Sequence, residues 1–298
     1  MEKCCFEKLN TPIVLALGFF DCVHIGHRKV ISRCKEVAKK LNASSAVFTF
    51  SNDINKIGGK QIYTFSEREK LLKDEKVDIV ISCPFDETIK NTSPNSFINS
   101  LFENCDIRSI VCGADYRFGK NAEGSVELLK SICDEKSVDL IVVDEVVIDE
   151  KRVSTTEIKE LLQNGEIEKA NALLVQPYFI IGSVVHGRGE GKTFGIPTAN
   201  ISVNENRTLP KSGVYACTLL VDGAEYKAVT NVGEKPTVGD YSFTIEALVG
   251  NGFNGDLYGK IVTVKFYKYL RDIKKFESSK ALAESVLADL TKWENSKC

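Results

Sequence analysis

Histidine is scarce in this 298-residue chain: there are three, and two of them, His24 and His27, share one short stretch. An excess of one charge is also missing, since 39 Lys and Arg against 41 Asp and Glu leave a formal net charge of −2. That balance excludes the basic footprint of a protein that tracks a long nucleic acid. No apolar run reaches the length needed to cross a bilayer. The start, Met1-Glu2-Lys3-Cys4-Cys5, lacks the basic head and apolar core of a secretion signal. The expected compartment is therefore the cytoplasm, with neither membrane nor nucleic acid as a partner. The oligomeric state is left open. The ten cysteines contain no Cys-x-x-Cys pair and no compact framework, and Cys83, Cys112 and Cys217 stand in apolar runs. They are expected to be free thiols in a reducing compartment, with Cys22 distinguished by its place in the histidine stretch. Internal repeats and low-complexity segments are absent as well.

What is present is an ordinary globular composition, 43% apolar and 27% charged, with room for two domains. The apolar run Ile13-Val14-Leu15-Ala16-Leu17 leads into Gly18-Phe19-Phe20-Asp21-Cys22-Val23-His24-Ile25-Gly26-His27, and an amphipathic segment from about Arg28 to Leu41 follows. This order predicts a buried strand, a glycine-bearing turn and a helix. Free backbone N–H groups and the helix dipole would make that turn an anion site. Three readings stay open here: a phosphate site, a common strand-to-helix turn, or a pair of metal ligands. The last has no cysteine or carboxylate at zinc-ligand spacing beside the histidines.

From residue 13 to about 148, strand and helix patterns alternate. Further strands are expected at Ser45–Phe50, Val77–Cys83, Ile107–Cys112 and Val138–Val143. Helices are expected through Leu72, with Ser66 and Glu69 as a capping box, and at Ser93–Phe102 and Val126–Cys133. Val- and Ile-rich strands alternating with helices imply a parallel sheet covered on both faces, with ligands beyond the carboxyl ends of its strands. Two later turns fit that position. One is Gly113 to Lys120, which contains Asp115. The other is Val153-Ser154-Thr155-Thr156-Glu157-Ile158-Lys159, whose Ser154-x-x-Glu157 is either a capping box, a phosphate-binding helix start, or both.

A helix over Ile158–Leu174 ends before Pro177, where the texture changes and a domain boundary is placed, giving domains 1–175 and 176–298. Short strands follow at Tyr178–Val185, Gly213–Val221, Glu225–Val232, Phe243–Leu248 and Ile261–Leu270, then a helix over Ser278–Trp293. This predicts an antiparallel sheet or barrel with a helix on or beside it. Within it lies Gly187-Arg188-Gly189-Glu190-Gly191-Lys192-Thr193-Phe194-Gly195-Ile196-Pro197-Thr198-Ala199-Asn200. Its glycines would allow close approach to a phosphate, Lys192 would offset charge, and Thr198 and Asn200 offer oxygen ligands that suit Mg²⁺. A flexible glycine loop accounts for the same residues nearly as well.

Taken together, these motifs resemble the bifunctional bacterial riboflavin kinase/FMN adenylyltransferase (FAD synthetase) family over nearly the whole chain. The match includes the Gly-x-Phe-Asp…His-x-Gly-His turn, Gly113-x-Asp115-x-Arg117-Phe118-Gly119 and the Ser154–Thr156 helix start. It continues with Pro-Thr-Ala-Asn, Gly213-Val214-Tyr215, Asn231-x-Gly233…Pro236-Thr237, Gly255 to Gly259, and Leu270-Arg271-Asp272…Phe276.

The resemblance implies an α/β nucleotidyltransferase domain with a Rossmann-like parallel sheet. An antiparallel β-barrel riboflavin kinase domain with a C-terminal helix follows it. It implies ATP and a divalent cation such as Mg²⁺, with riboflavin, FMN and FAD as substrates and products. In the first domain His24 and His27 would act at the ATP phosphates, with Gly18, Phe19, Asp21, Gly26, Asp115, Ser154 and Thr155 binding the nucleotide. In the second, Glu246 would be the catalytic base. Gly189, Gly191, Lys192 and Arg271 would bind ATP or flavin, and Thr198 and Asn200 would hold ATP and the metal. The family usually has glycine at Cys22, Pro-His at Ser51-Asn52-Asp53, and arginine at Glu157 and at Lys159. These departures predict an adenylyltransferase weaker than the kinase. Two other readings are an N-terminal domain that serves another substrate and a non-enzymatic flavin-binding regulator.

Overall fold

Five consecutive apolar residues, Ile13–Leu17, leave no polar side chain for solvent, so a strand built from them must be covered on both faces. In the computed structural model they end strand β2 and are buried. The structure describes residues 2–4, 8–52, 60–186, 198–203, 206–234, 243–250, 253 and 255–296. By its internal contacts the chain divides into two units, Met1–Thr156 and Glu157–Cys298.

The first unit holds β1 (Glu2–Cys4), β2 (Leu9–Leu17), β3 (Ser44–Phe50), β4 (Ile79–Cys83), β5 (Cys105–Gly113) and β6 (Asp139–Val143). They form one sheet in the order β1-β4-β3-β2-β5-β6, and every pairing is parallel. The edge strand β1 has no apolar pattern, so the sequence did not announce it.

Helix α1 (Ile25–Lys40) packs on the sheet through Val30, Ile31, Cys34, Val37 and Ala38. It starts three residues before the expected Arg28, because His24 serves as its N-cap. Helix α2 (Phe65–Asp74) is opened by a capping box of Thr64 with Glu67, two residues before the expected pair. The Glu67 carboxylate accepts the Thr64 N–H at 2.9 Å, which fixes the frame. Helices α3 (Glu87–Asn91), α4 (Pro94–Asn104) and α5 (Val126–Glu135) follow. Phe97, Ile98 and Leu101 of α4 and Leu129 and Ile132 of α5 join Leu15, Leu17 and Ile110 in one apolar core. A small hairpin, β7 (Val147–Ile148) with β8 (Lys151–Arg152), completes the unit.

The boundary falls inside helix α6 (Thr155–Gln163), and α7 (Ile167–Leu173) comes next. The single helix expected over 158–174 is thus two. Gly165 between them has φ +79°, a left-handed conformation cheap only for glycine. The Gly165 and Glu166 N–H groups turn back to the carbonyls of Leu162 and Leu161, which ends the helix.

The rest of this unit is a closed antiparallel barrel of β9 (Phe179–Val185), β10 (Thr198–Ser202), β11 (Gly213–Val221), β12 (Ala224–Glu234), β13 (Phe243–Val249) and β14 (Ile261–Arg271). Its order around the ring is β10-β13-β12-β11-β14-β9. The sequence reading missed β10, whose Thr-Ala-Asn it took as the tail of a loop. Helix α8 (Ser279–Glu294) seals one side: Leu290 packs with Val214, Val229 and Leu248, and the Trp293 indole donates to the Cys217 carbonyl at 2.7 Å.

Candidate functional site

Strands β2, β5 and β6 end at Leu17, Gly113 and Val143, and the segments that leave them enclose a cleft of about 380 Å³. Its lining includes Gly18, Phe19, His24, Gly26, His27, Asp115, Ser154 and Thr155. Thus three separate turns converge at the carboxyl edge of the sheet. Asp21 is placed differently. It is buried, and its carboxylate accepts the Ile62 N–H at 3.1 and 3.4 Å, so it anchors the turn rather than lining the cleft.

The turn is tightly folded. Phe20 and Val23 have φ of +50° and +45°, which for a β-branched residue such as Val23 is a strained conformation. The strain places His24 over the first turn of α1, where its Nδ1 accepts the His27 N–H at 3.1 Å. The two imidazoles stack with centroids 3.7 Å apart. A Cβ on Gly26 would lie 2.9 Å from His24 Cε1, so only glycine leaves space for that ring.

Burial pushes the His24 imidazole down to about 4; Asp115 opposes the shift and Arg152 adds to it. His27 is lowered well below the usual imidazole range by burial and by its neighbour His24. Both rings are therefore neutral near neutral pH. With Nδ1 of His24 accepting, its proton must sit on Nε2. The rings are thus N–H donors, not the fixed cations that a pair of histidines at a phosphate turn suggests.

The cation that sequence reasoning missed is Arg152. Its guanidinium bonds to the Asp115 carboxylate and, at 3.0 Å, to Glu145, and all three residues line the cleft. Arg68 was missed too, because on a surface helix it reads as solvated. It is buried instead, donating to Thr49 Oγ1 at 2.7 Å, while Thr49 donates to the Phe19 carbonyl at 2.7 Å. Its guanidinium also lies 5.0 Å from the Phe19 ring centre. Arg68 therefore fixes the residue that begins the turn. Asn52 ties its amide to the backbone N–H and C=O of Phe85. Asp53 lies outside the described residues.

In the second unit, three neighbouring strands supply a polar face. Asn200 on β10 is paired with Glu246 on β13, and Glu246 with Asn231 on β12. Directly paired residues point to the same side of a sheet, here the side opposite buried Ile245, Ala247 and Val232. Thr198, two residues before Asn200, donates to Glu246 Oε1 at 2.8 Å. Asn231 Oδ1 is buried and has no hydrogen-bond partner. A hydroxyl, two amide oxygens and a carboxylate are hard oxygen ligands, so this face fits a divalent cation of the Mg²⁺ kind. Asn231 was legible as part of a motif but not as a site residue.

Arg271 is committed to α8, with Nε donating to Asp289 at 2.9 Å and Nη2 to Ser285 Oγ at 3.2 Å. Gly189, Gly191 and Lys192 lie outside the described residues.

Comparison with known proteins agrees over both units. Residues 6–157 match the family model described as FAD synthetase, and residues 174–297 match that described as riboflavin kinase. A bifunctional riboflavin kinase/FMN adenylyltransferase of Bacillus subtilis is 33% identical over 284 residues, 93% of this chain and 90% of that one. The protein of the same description from Listeria monocytogenes is 34% identical over 94% of this chain and 89% of its own. A solved structure from Streptococcus pneumoniae, described as a macrolide-efflux protein, superimposes with a TM-score of 0.88 at 29% identity. The match covers 98% of this chain and 96% of that one. Among the described residues of this chain, no helix is long and apolar enough to cross a membrane.

Proposed function

The chain belongs to the family of bifunctional riboflavin kinase/FMN adenylyltransferases, and from that premise we propose how its residues divide the two reactions. The enzyme phosphorylates riboflavin to FMN and adenylylates FMN to FAD.

Adenylyl transfer belongs to the cleft of the first unit. The FMN phosphate attacks the α-phosphorus of ATP, the bond to the β-phosphate breaks, and pyrophosphate leaves. The nucleophile is already an anion, so no general base is needed, and the protein's task is to stabilise gathering negative charge. The Nε2–H of His24, the ring of His27 and the N–H groups at the start of α1 around Gly26 supply donors there. The hydroxyls of Ser154 and Thr155 add two more. Gly18 and Phe19 shape the wall, Asp21 holds the turn, and Asp115 with Arg152 forms the rim. What supports this reading is the convergence of three strand ends on one cavity.

Phosphoryl transfer belongs to the polar face of the barrel. Glu246 takes the proton from the riboflavin 5′-hydroxyl as that oxygen attacks the γ-phosphorus, and ADP leaves. Thr198 and Asn200, with Asn231, would hold the divalent cation, which supplies charge neutralisation at the phosphates when bound. Gly189, Gly191 and Lys192 would cradle the phosphates, and Arg271, tied to Asp289 and Ser285 of α8, would bind ATP or flavin. The direct pairing of Asn200, Glu246 and Asn231 carries this assignment. We assign the activities to domains 1–175 and 176–298, and the protein to the cytoplasm, in keeping with seven buried cysteine thiols among the described residues.

The deciding experiment incubates the protein with riboflavin, ATP and Mg²⁺ and follows FMN and FAD separately. Both products are expected. FMN without FAD removes the adenylyltransferase assignment, whereas equal rates overturn the weaker first half expected from Cys22 and Glu157.

A further inference from the structure

Cys22 is the one chemically reactive side chain of the strand-to-helix turn that neither reaction uses. In sequence it has no obvious partner. Folding brings its sulfur and one ring nitrogen each of His24 and His27 within 4.8 Å of one another. Ligands at about 2.0 Å for nitrogen and 2.3 Å for sulfur stand roughly 3.3–3.8 Å apart around a tetrahedral zinc ion. The two imidazoles now stack with their planes 13° apart, so binding one ion through both rings requires one of them to turn out of the stack as the ligand atoms close in. The His27 Nδ1 is buried without a hydrogen-bond partner, so a ligand there would displace no existing bond. Cys22 itself is 0% exposed, but its Sγ lies 3.8 Å from Oγ1 of Thr155, a residue that lines the cleft, as both histidines do.

We propose that Cys22, His24 and His27 bind a thiophilic divalent cation of the zinc class, with its fourth coordination position open to the cleft. One thiolate and two imidazoles form a soft to borderline donor set, unlike the all-oxygen face of the barrel, so the two units select different metals. Binding converts the Cys22 thiol to thiolate, with one proton released to solvent and no change of oxidation state. His24 gives up its cap on α1 in either ligation mode. Bound through Nδ1 it loses the lone pair that accepts the His27 N–H, and bound through Nε2 it must carry its proton on Nδ1. Because the ion takes both histidines, their rings can no longer serve the ATP phosphates as the nucleotide reading requires; this consequence rests on that reading, whereas the metal site does not.

The test titrates the full-length protein with Co²⁺ as a spectroscopic substitute, then with Zn²⁺. One equivalent of Co²⁺ should give a thiolate-to-cobalt charge-transfer band that Zn²⁺ abolishes. Cys22→Gly and Cys22→Ser should lose the band and bind at least 100-fold more weakly, while circular dichroism and an unchanged rate of FMN formation show that the metal-free variants are folded. A band that persists in both variants assigns the ion to other thiols and overturns the proposal, as does its absence in the unaltered protein. In the assay, buffered free Zn²⁺ should stop FAD formation competitively with ATP and spare FMN formation, and Cys22→Gly should remove the inhibition. Loss of the band in the variants without any competition with ATP would uphold the metal site and overturn the nucleotide reading instead.

Discussion

On the assignments proposed above, the two units handle phosphate by opposite means. In the first, donors are backbone N–H groups, hydroxyls and neutral imidazoles, gathered from three turns at the edge of a parallel sheet. In the second, the polar groups are mostly acceptors, fixed by strand pairing across β10, β13 and β12. The difference follows from the nucleophiles. A phosphate that attacks needs only its charge countered, so donors suffice. A hydroxyl that attacks must lose a proton, so a carboxylate is required, and a cation has to balance both it and the phosphates. Turns suit the first task because their N–H groups are free, whereas strands suit the second because they hold oxygen atoms in a fixed array.

The sharpest way to break this division is Glu246→Gln. FMN formation should fall roughly 10²- to 10⁴-fold, the range for a lost general base. FAD formation from supplied FMN should stay unchanged, with both products quantified by chromatography; equal losses would mean that the units do not work separately. The converse changes, His24→Ala and His27→Ala, should lower FAD formation by about 10²- to 10³-fold, as for the loss of a donor to developing charge. They should leave riboflavin phosphorylation intact. Of the two, only His24→Ala also removes a helix cap, so it should lower stability by about 1 kcal/mol in denaturant unfolding.

Acidity should separate the units next. The folded His24 titrates near 4 and the unfolded residue near 6.5, so its contribution is present above 6.5 and disappears as the pH falls toward 4. The full amount is about 3 kcal/mol, read as the difference between the protein and His24→Asn in unfolding midpoints at pH 7 and pH 4. Polyphosphate should raise both imidazoles, so nucleotide binding to the first unit near pH 6 should take up protons, seen as a buffer-dependent heat in calorimetry. Glu246→Gln should not alter that uptake. The smallest effect on turnover is expected at Gly165, which belongs to neither site. Gly165→Ala should cost about 1–2 kcal/mol through its left-handed backbone and change neither turnover number.

Legibility in the sequence followed the range of the interaction. Strands such as Gly213–Val221 and Ile13–Leu17 were readable because their burial is written as runs of apolar residues. Helix starts were less so, since Ser66 with Glu69 and Thr64 with Glu67 satisfy the same spacing rule and only the fold selects one. The break at Gly165 was hidden by apolar periodicity that continues through it. Arg152 and Arg68 could not be found by pattern, because each acquires its role from residues 37 and 19 positions away. Cys22 was visible as an oddity, but its proximity to both rings exists only once Val23 has turned the chain back. The strand β10 was missed for a different reason: five residues after a glycine-rich stretch carry too short an alternation to register.

That short strand has a structural consequence of its own. A ring of six staves has six seams, and among the described residues the least fastened is β10 against β9, with three residue pairs, Asn200 with Val185, Ile201 with Val184 and Ser202 with Ser183. The stave at the seam is also the one that bears Thr198 and Asn200. Whatever engages those two side chains therefore tightens the hoop, and opening the hoop releases what they hold. Amide exchange along β10 should be the fastest in the barrel and should slow most when ATP and a divalent cation are supplied.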